Sequence, residues 1–124
     1  MNWGAIAAGL LGLAVILGAF GAHGLKGRLD EYSMGIYEKA VFYHFVHGLG
    51  LLITAALAKS GALSAAAGSR VGWLLCAGIA LFSGSLYALA LSGVRGLGAI
   101  TPLGGICLAA GWFVLAFGVA RGNK

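Results

Sequence analysis

The stretch VGWLLCAGIALFSGSLYALALSGV, residues 71–94, runs between Arg70 and Arg95 without a single charged side chain. A helix needs about 20 apolar residues to cross the roughly 30 Å of hydrocarbon in a bilayer, so this stretch predicts a transmembrane helix. Three further stretches of similar length are also free of charge: residues 1–25, 40–58 and 96–120. The chain therefore predicts four membrane-spanning helices.

The composition supports the same class of protein. The chain is 60% hydrophobic and 9% charged, with a mean hydropathy of +0.98, whereas soluble domains carry about 25% charged residues. We expect an all-α integral membrane four-helix bundle with antiparallel neighbours, in a single domain covering residues 1–124. The predicted spans are about 3–22, 40–58, 71–92 and 102–120.

The connections between the spans carry their own signals. Residues 25–36 place apolar side chains at helical spacing among charged ones, so this segment is either an interfacial helix between the first two spans or the first turns of a long second helix. Thr101 followed by Pro102 is typical of a helix start, in which the threonine hydroxyl caps free amides. Residues 93–100 are then a short interfacial loop.

Four spans place both termini on the same side of the membrane as the connection 59–70. The lysine and arginine counts of the two sides are equal, at four each, when Lys124 is included, so the positive-inside rule gives no orientation. We expect a multi-pass membrane protein with both termini in the cytoplasm. Because the net charge of +5 is modest and lies at helix ends, membrane lipids are the expected partners and nucleic acid is excluded.

Small side chains recur every fourth residue in the third span. They are Gly72, Cys76, Ala80, Gly84 and Ala88, continued by Ser92. Such a stripe lets another helix approach closely, because membrane helices associate through packing. The stripe predicts a helix-packing surface, either inside one bundle or at the seam of a homo-oligomer or another membrane-protein partner.

Polar side chains that could form a site gather in one half of the membrane. Antiparallel threading brings them to the same depth from all four helices, and intramembrane polar groups usually face a bundle interior or a wet cavity. We expect a ligand site or a shared hydrogen-bond network in which His23 and His47 bond to tyrosine and serine groups, with His44 contributing less. The candidates are His23, Tyr43, His44, His47, Ser83, Ser85, Tyr87 and Thr101.

Catalytic and cofactor sites have weaker support. His44 and His47 share a helix face, and with His23 they could hold a metal ion; His23 opposite either of them could ligate haem. Neither cofactor is expected, because the spacing is weak evidence and no haem-attachment motif is present. Hydrolysis is also not expected, because no nucleophile-elbow motif surrounds either serine.

Four short strings, taken in order, point to a known family. The strings are GAFGAHGL at 18–25, YHFVHGL at 43–49, FSGSLY at 82–87, and ITPLGG at 100–105, followed by Gly111 and Trp112. With these strings the chain resembles the small bacterial inner-membrane family called domain of unknown function 423, which has eukaryotic small transmembrane relatives. The resemblance implies a four-helix protein of the bacterial inner membrane without an established activity. It also implies that His23 and His47 are motif histidines, whereas His44 departs from many relatives.

Two classes of function follow from this sequence. The first is a noncatalytic membrane protein that binds a lipid or small amphipathic molecule, or a membrane partner, through the polar half. The second is a small transporter, oligomeric channel or proton-handling protein. The second class has less support because no charged residue lies in mid-membrane.

Overall fold

A computed structural model describes residues 1–122 of the protein, so Lys124 and its place in the charge count lie outside the described residues. Four helices make up most of it: α1 (Trp3–His23), α2 (Glu31–Ser60), α3 (Ala65–Ser92) and α4 (Thr101–Arg121), with a short 3-10 helix (Arg95–Ala99) before α4. Each of the four is long and apolar enough to cross a membrane. The predicted all-α, four-span fold is confirmed.

Side-chain caps explain where three of the helices begin. The side-chain oxygens of Asn2, Asp30 and Ser64 each accept a hydrogen bond from a backbone amide three residues later, at 3.0, 2.7 and 3.1 Å. Such caps satisfy amides that the helix leaves without partners. Gly61 and Gly93 end α2 and α3 with positive φ angles of 87° and 73°, a conformation that glycine adopts without strain.

The structure selects one of the two alternatives for the first connection and corrects one expectation about the last helix. No separate interfacial helix forms between α1 and α2: the Asp30 cap starts α2 at Glu31, so Tyr32 and Ile36 lie in its first turns, whereas residues 25–29 remain in the connection. Thr101 does not cap α4; its hydroxyl lies 2.6 Å from that of Ser85 in α3 instead. Pro102 does stand in the first turn, as expected.

The central pair of the bundle is α2 and α3. Helix α1 packs mainly on α2 and α4 mainly on α3, so the two outer helices bury less of their length. The buried face of α2 repeats at alternating steps of three and four residues, the spacing of a helix packed between neighbours. This buried face includes Tyr37, Ala40, His44, His47, Leu51 and Thr54.

The two ends of the bundle have different chemistry. At the terminal end, Trp3 of α1 donates to the Ser69 hydroxyl at the start of α3 (3.4 Å), and Leu63 lies against Gly118 of α4. The chain start, the α2–α3 connection and the end of α4 therefore share one end. The opposite end, called the loop end, holds residues 24–30 and 93–100, and all three carboxylates of the chain lie towards it.

The closest helix contacts lie at glycines, but only part of the predicted small-residue stripe of α3 takes part in helix packing. A Cβ atom on Gly104 of α4 would lie 2.7 Å from the Leu81 carbonyl carbon, so the backbones of α3 and α4 touch there. Gly72 is buried against Trp3, and Cys76 packs on the core.

The loop-end half of the stripe does not pack within the protomer. Ala80 and Ala88 are exposed, and nothing lies within 4 Å of a Cβ on Gly84. Packing inside one bundle is therefore wrong for these three residues, because α4 packs against a neighbouring face of α3, the one that carries Gly78. The homo-oligomer seam stays a prediction.

Candidate functional site

The predicted polar residues form several separate groups rather than one network. His44 pairs with Tyr87, Ser85 pairs with Thr101, and His47 lies beside Tyr43. His23 is exposed at the end of α1 and makes no side-chain hydrogen bond within residues 1–122. The expected exchange of hydrogen bonds between His23, His47 and the hydroxyl groups is therefore wrong.

His44 holds the most buried of these groups. Its side chain is 2% exposed, and its Nδ1 atom lies 2.8 Å from the Tyr87 hydroxyl of α3. The tyrosine hydroxyl has no other partner in the described chain, so we assign it as the donor and Nδ1 as the acceptor. Nε2 then carries the proton; the Leu10 backbone of α1 lies near the ring, but Nε2 makes no hydrogen bond within residues 1–122. The cross-helix histidine is thus His44, not His47.

Tyr37 completes this buried group, and the sequence analysis missed it. Its ring is 1% exposed and packs edge-on against Tyr87, with ring centroids 5.3 Å apart. Its hydroxyl donates to the Leu17 carbonyl of α1, and Gly21 of α1 leaves the space that the ring occupies. The seven-residue step from Tyr37 to His44 was the available signal, because it puts both on one helix face. The charged residues Glu38 and Lys39 that follow it are typical of a membrane interface and give no sign of a buried ring.

His47 has a different environment. Its Nδ1 donates to the Tyr43 carbonyl one turn earlier, at 2.7 Å, and its ring stacks on Tyr43 with centroids 5.5 Å apart. On the other side the ring lies 5.8 Å from Trp112 of α4. His47 therefore contacts the aromatic side chains of two helices and shares no hydrogen bond with His44.

The hydroxyl groups of α3 are bonded within the bundle. Ser83 is fully buried and donates to the Ala40 carbonyl of α2 at 2.8 Å. Ser85 donates to its own helix at Phe82 and also meets Thr101 of α4. These bonds tie α3 to both neighbours at the loop-end half, which is the usual role of serine and threonine in membrane helices.

The three histidines do not form a metal site. No group of three or more histidine, cysteine or acidic side chains within residues 1–122 is arranged to hold a metal ion. His23 is exposed at a helix end, and His44 is enclosed between α1 and α3. A haem held by His23 and His44 would require α1 to move away from α2, so the donor set does not fit either cofactor.

A cavity at the terminal end was not expected from the sequence. This terminal groove encloses about 670 Å³ between the start of α1, the end of α2 and the start of α3. Close helix contacts at small residues border it, because Gly4 of α1 lies against Ala55 and Gly68 of α3 lies against Ala58. The groove is lined by Met1–Gly4, Leu52, Thr54–Ala56, Ala58, Lys59, Ala65, Gly68 and Ser69.

The terminal groove has apolar walls and a polar mouth. Leu52 and the alanines of α2 form one wall over about 10 Å of helix length. Asn2, Lys59 and Ser69 stand at the outer end, and no lining residue is acidic. Arg70 and Arg121 are the other basic side chains of this end within residues 1–122, and no aspartate or glutamate side chain of that range lies there.

Comparison with known proteins supports the membrane assignment. Residues 17–105 match the family model described as protein of unknown function (DUF423). The chain is 49% identical over 109 residues to a UPF0382 membrane protein of Staphylococcus epidermidis, covering 88% of this chain and 87% of that one. A UPF0382 membrane protein of Staphylococcus haemolyticus is 48% identical over 103 residues, covering 83% and 82% of the two chains.

A protein from a second genus is also similar to the chain. The UPF0382 membrane protein YwdK of Bacillus subtilis is 45% identical over 111 residues, covering 88% of each chain. No solved structure matched the chain.

Proposed function

The chain belongs to the DUF423 family of membrane proteins of unknown function, and on that premise we propose that it is a noncatalytic protein that binds an anionic phospholipid in the terminal groove. The single observation that carries the proposal is the form of that groove: apolar helix walls about 10 Å deep beneath a mouth that carries Lys59. Its volume of about 670 Å³ is of the size that amphipathic ligands occupy in proteins.

The basic side chains near the groove favour an anionic lipid. Lys59, Arg70 and Arg121 lie at this end without an acidic side chain among the described residues, whereas Asp30, Glu31 and Glu38 all lie towards the other. Each basic residue near an anionic membrane surface contributes about 1 kcal/mol of attraction. In the proposed complex the anionic head group contacts Lys59 at the mouth, and one acyl chain packs along the apolar α2 wall.

The same charge distribution supports an orientation. The cytoplasmic leaflet carries anionic lipid, which attracts basic segments at a membrane surface. We propose that the protein lies in the bacterial inner membrane with both termini, and hence the terminal groove, on the cytoplasmic side.

The polar half supports a noncatalytic role. Ser83 and Ser85 bond to backbone carbonyls and to Thr101, so neither hydroxyl is directed at a histidine that could remove its proton. Because these serine and threonine side chains join helices, the lipid site that we propose is the terminal groove and not the polar half. Transport has less support, because the groove is limited to one end of the bundle.

Native mass spectrometry of gently solubilised protein tests the proposal. Phosphatidylglycerol and phosphatidylcholine with identical acyl chains are added in equal amounts, and the bound fraction of each is resolved by mass. We expect phosphatidylglycerol to bind about fivefold more tightly, which corresponds to about 1 kcal/mol from one lysine. Lys59→Gln should remove that preference, and Ala55→Leu, which fills the groove, should lower binding of both lipids.

Lys26→Gln is the matched control, since it removes an exposed lysine at the loop end. Equal binding of the two lipids by the wild type would contradict the charge argument. Unchanged binding in Ala55→Leu would show that lipid does not enter the groove.

A further inference from the structure

Four aromatic rings from three helices form a ladder near the middle of the membrane. Phe82 of α3 lies 4.2 Å from Tyr43, Tyr43 lies 5.5 Å from His47, and His47 lies 5.8 Å from Trp112 of α4, all between ring centroids. Gly50 of α2 admits the edge of Trp112, since a Cβ there would lie 2.7 Å from the indole. The aromatic ladder therefore spans the gap between α2 and α4.

The hydrogen bonding of His47 decides what the ladder can recognise. Because Nδ1 donates to the Tyr43 carbonyl, a neutral ring has its lone pair on Nε2. The neutral form is favoured here because an ionised group is costly inside the membrane. Nε2 is thus an acceptor, and no donor within residues 1–122 occupies it.

This nitrogen is less enclosed than its counterpart in His44. The His47 side chain is 6% exposed, and its Nε2 is not among the fully buried atoms that lack partners, whereas Nε2 of His44 is. Trp112, whose ring lies against that of His47, is 38% exposed. Helices α2 and α4 both pack mainly on α3, and the exposed part of the Trp112 ring faces the membrane beside His47.

The depth of His47 and Trp112 in the membrane determines the route by which a ligand can reach them. His47 lies two residues from the centre of the charge-free stretch 40–58, and Trp112 lies one residue from the centre of α4. A ligand must therefore come through the hydrocarbon, carry an O–H group for Nε2, and present a flat face to the aromatic rings. A hydroquinone with an alkyl tail combines these three properties.

We propose that His47 and Trp112 form a binding site for a lipid-soluble hydroquinone, whose hydroxyl donates to His47 Nε2. The site is separate from the terminal groove and does not depend on lipid binding there. Its distinctive feature is a preference for the reduced form. The quinone offers only carbonyl acceptors, which the lone pair of Nε2 repels.

The test compares three probes under anaerobic conditions: a decyl-substituted benzohydroquinone, its quinone and its dimethyl ether. Tryptophan quenching measures binding to the wild type in nanodiscs, with empty nanodiscs as the blank for partitioning. We expect the hydroquinone to bind about fivefold or more tightly than the other two, the range of one net hydrogen bond. His47→Leu should abolish the preference, and His23→Leu, which changes an exposed histidine, should keep it.

A direct measurement on the unmodified protein covers the case in which His47→Leu does not fold. With ¹⁵N-labelled histidine, the Nε2 resonance of His47 should shift on addition of the hydroquinone and not on addition of the dimethyl ether. Equal affinity for all three probes, a preference retained in His47→Leu, or an unmoved Nε2 resonance would each overturn the proposal.

Discussion

The contact between α3 and α4 at Gly104 yields the sharpest stability prediction. Gly104→Ala would place a methyl group against the Phe82 backbone nitrogen, its nearest neighbour, with the Leu81 carbonyl carbon at 2.7 Å and the Phe82 Cα at 2.8 Å. All three are backbone atoms, so no side-chain rotation relieves the clash. Because ordinary contact begins at 3.4 Å and the Phe82 nitrogen is closer than the Leu81 carbon, the helices must separate by more than about 0.7 Å. Overpacking of this kind costs about 1–3 kcal/mol.

The change in helix propensity works in the opposite direction. Alanine favours a helix over glycine by about 0.5–1 kcal/mol, so the net loss for Gly104→Ala should be about 1–2 kcal/mol. Gly84→Ala is the matched control, because nothing lies within 4 Å of its new methyl group. That variant should be neutral or more stable by up to about 1 kcal/mol.

The assay is reversible unfolding of the purified protein by SDS in mixed micelles, followed by circular dichroism. The two alanine variants should differ by about 2 kcal/mol in their free energy of unfolding. Equal stability of the two would refute the assigned α3–α4 contact. Gly84→Leu should likewise leave protomer stability unchanged, and a fall in oligomer mass in that variant would identify the exposed half of the stripe as a seam between copies.

Three further outcomes are expected. Tyr87→Phe leaves His44 Nδ1 buried without a donor and should cost about 1–3 kcal/mol of unfolding free energy; Tyr32→Phe, at a tyrosine that is 71% exposed, should cost nothing measurable. The Ser33 amide and hydroxyl lower the pKa of Asp30 below its ordinary value of 3.8. The stability advantage of the wild type over Asp30→Ala should therefore be complete above that value and lost as the pH falls through the lowered pKa, measured as thermal midpoints; Asp30→Asn, which keeps a cap without a charge, should show no such dependence. Compartment reporters at Met1, Ala65 and Lys124 should agree with each other and differ from reporters at Asp30 and Arg95; disagreement among the first three would contradict four spans.

The depth of the polar residues in the membrane could be predicted from the sequence. Ser85, Thr101, His44 and Tyr87 were assigned to one depth because antiparallel helices of known ends must align them, and the structure does bring each pair into contact. Depth alone could not say which partners meet, because rotation of each helix about its axis is set by side-chain packing. His23 has the right depth, yet it faces outwards.

Helix rotation also explains the residues that were missed. Tyr37 enters the core because Gly21 on α1 leaves room for its ring, a fit between two helices that neither sequence segment displays by itself. The terminal groove arises in the same way, from Gly4, Ala55 and Gly68 meeting across three helices. Both depend on pairs of residues distant along the chain.

The sequence by itself determined the class of fold and the four spans. Charge-free stretches the length of a bilayer act locally, and a charged side chain at the centre of a membrane helix costs about 2.5–3.5 kcal/mol. Only the tertiary structure decided where α2 and α3 begin, that these two helices form the central pair, that His44 and not His47 bonds across helices, and that a groove opens at the terminal end. The physical reason is that membrane helices associate through close packing, so the shapes of facing side chains choose among arrangements that hydrophobicity alone leaves equal.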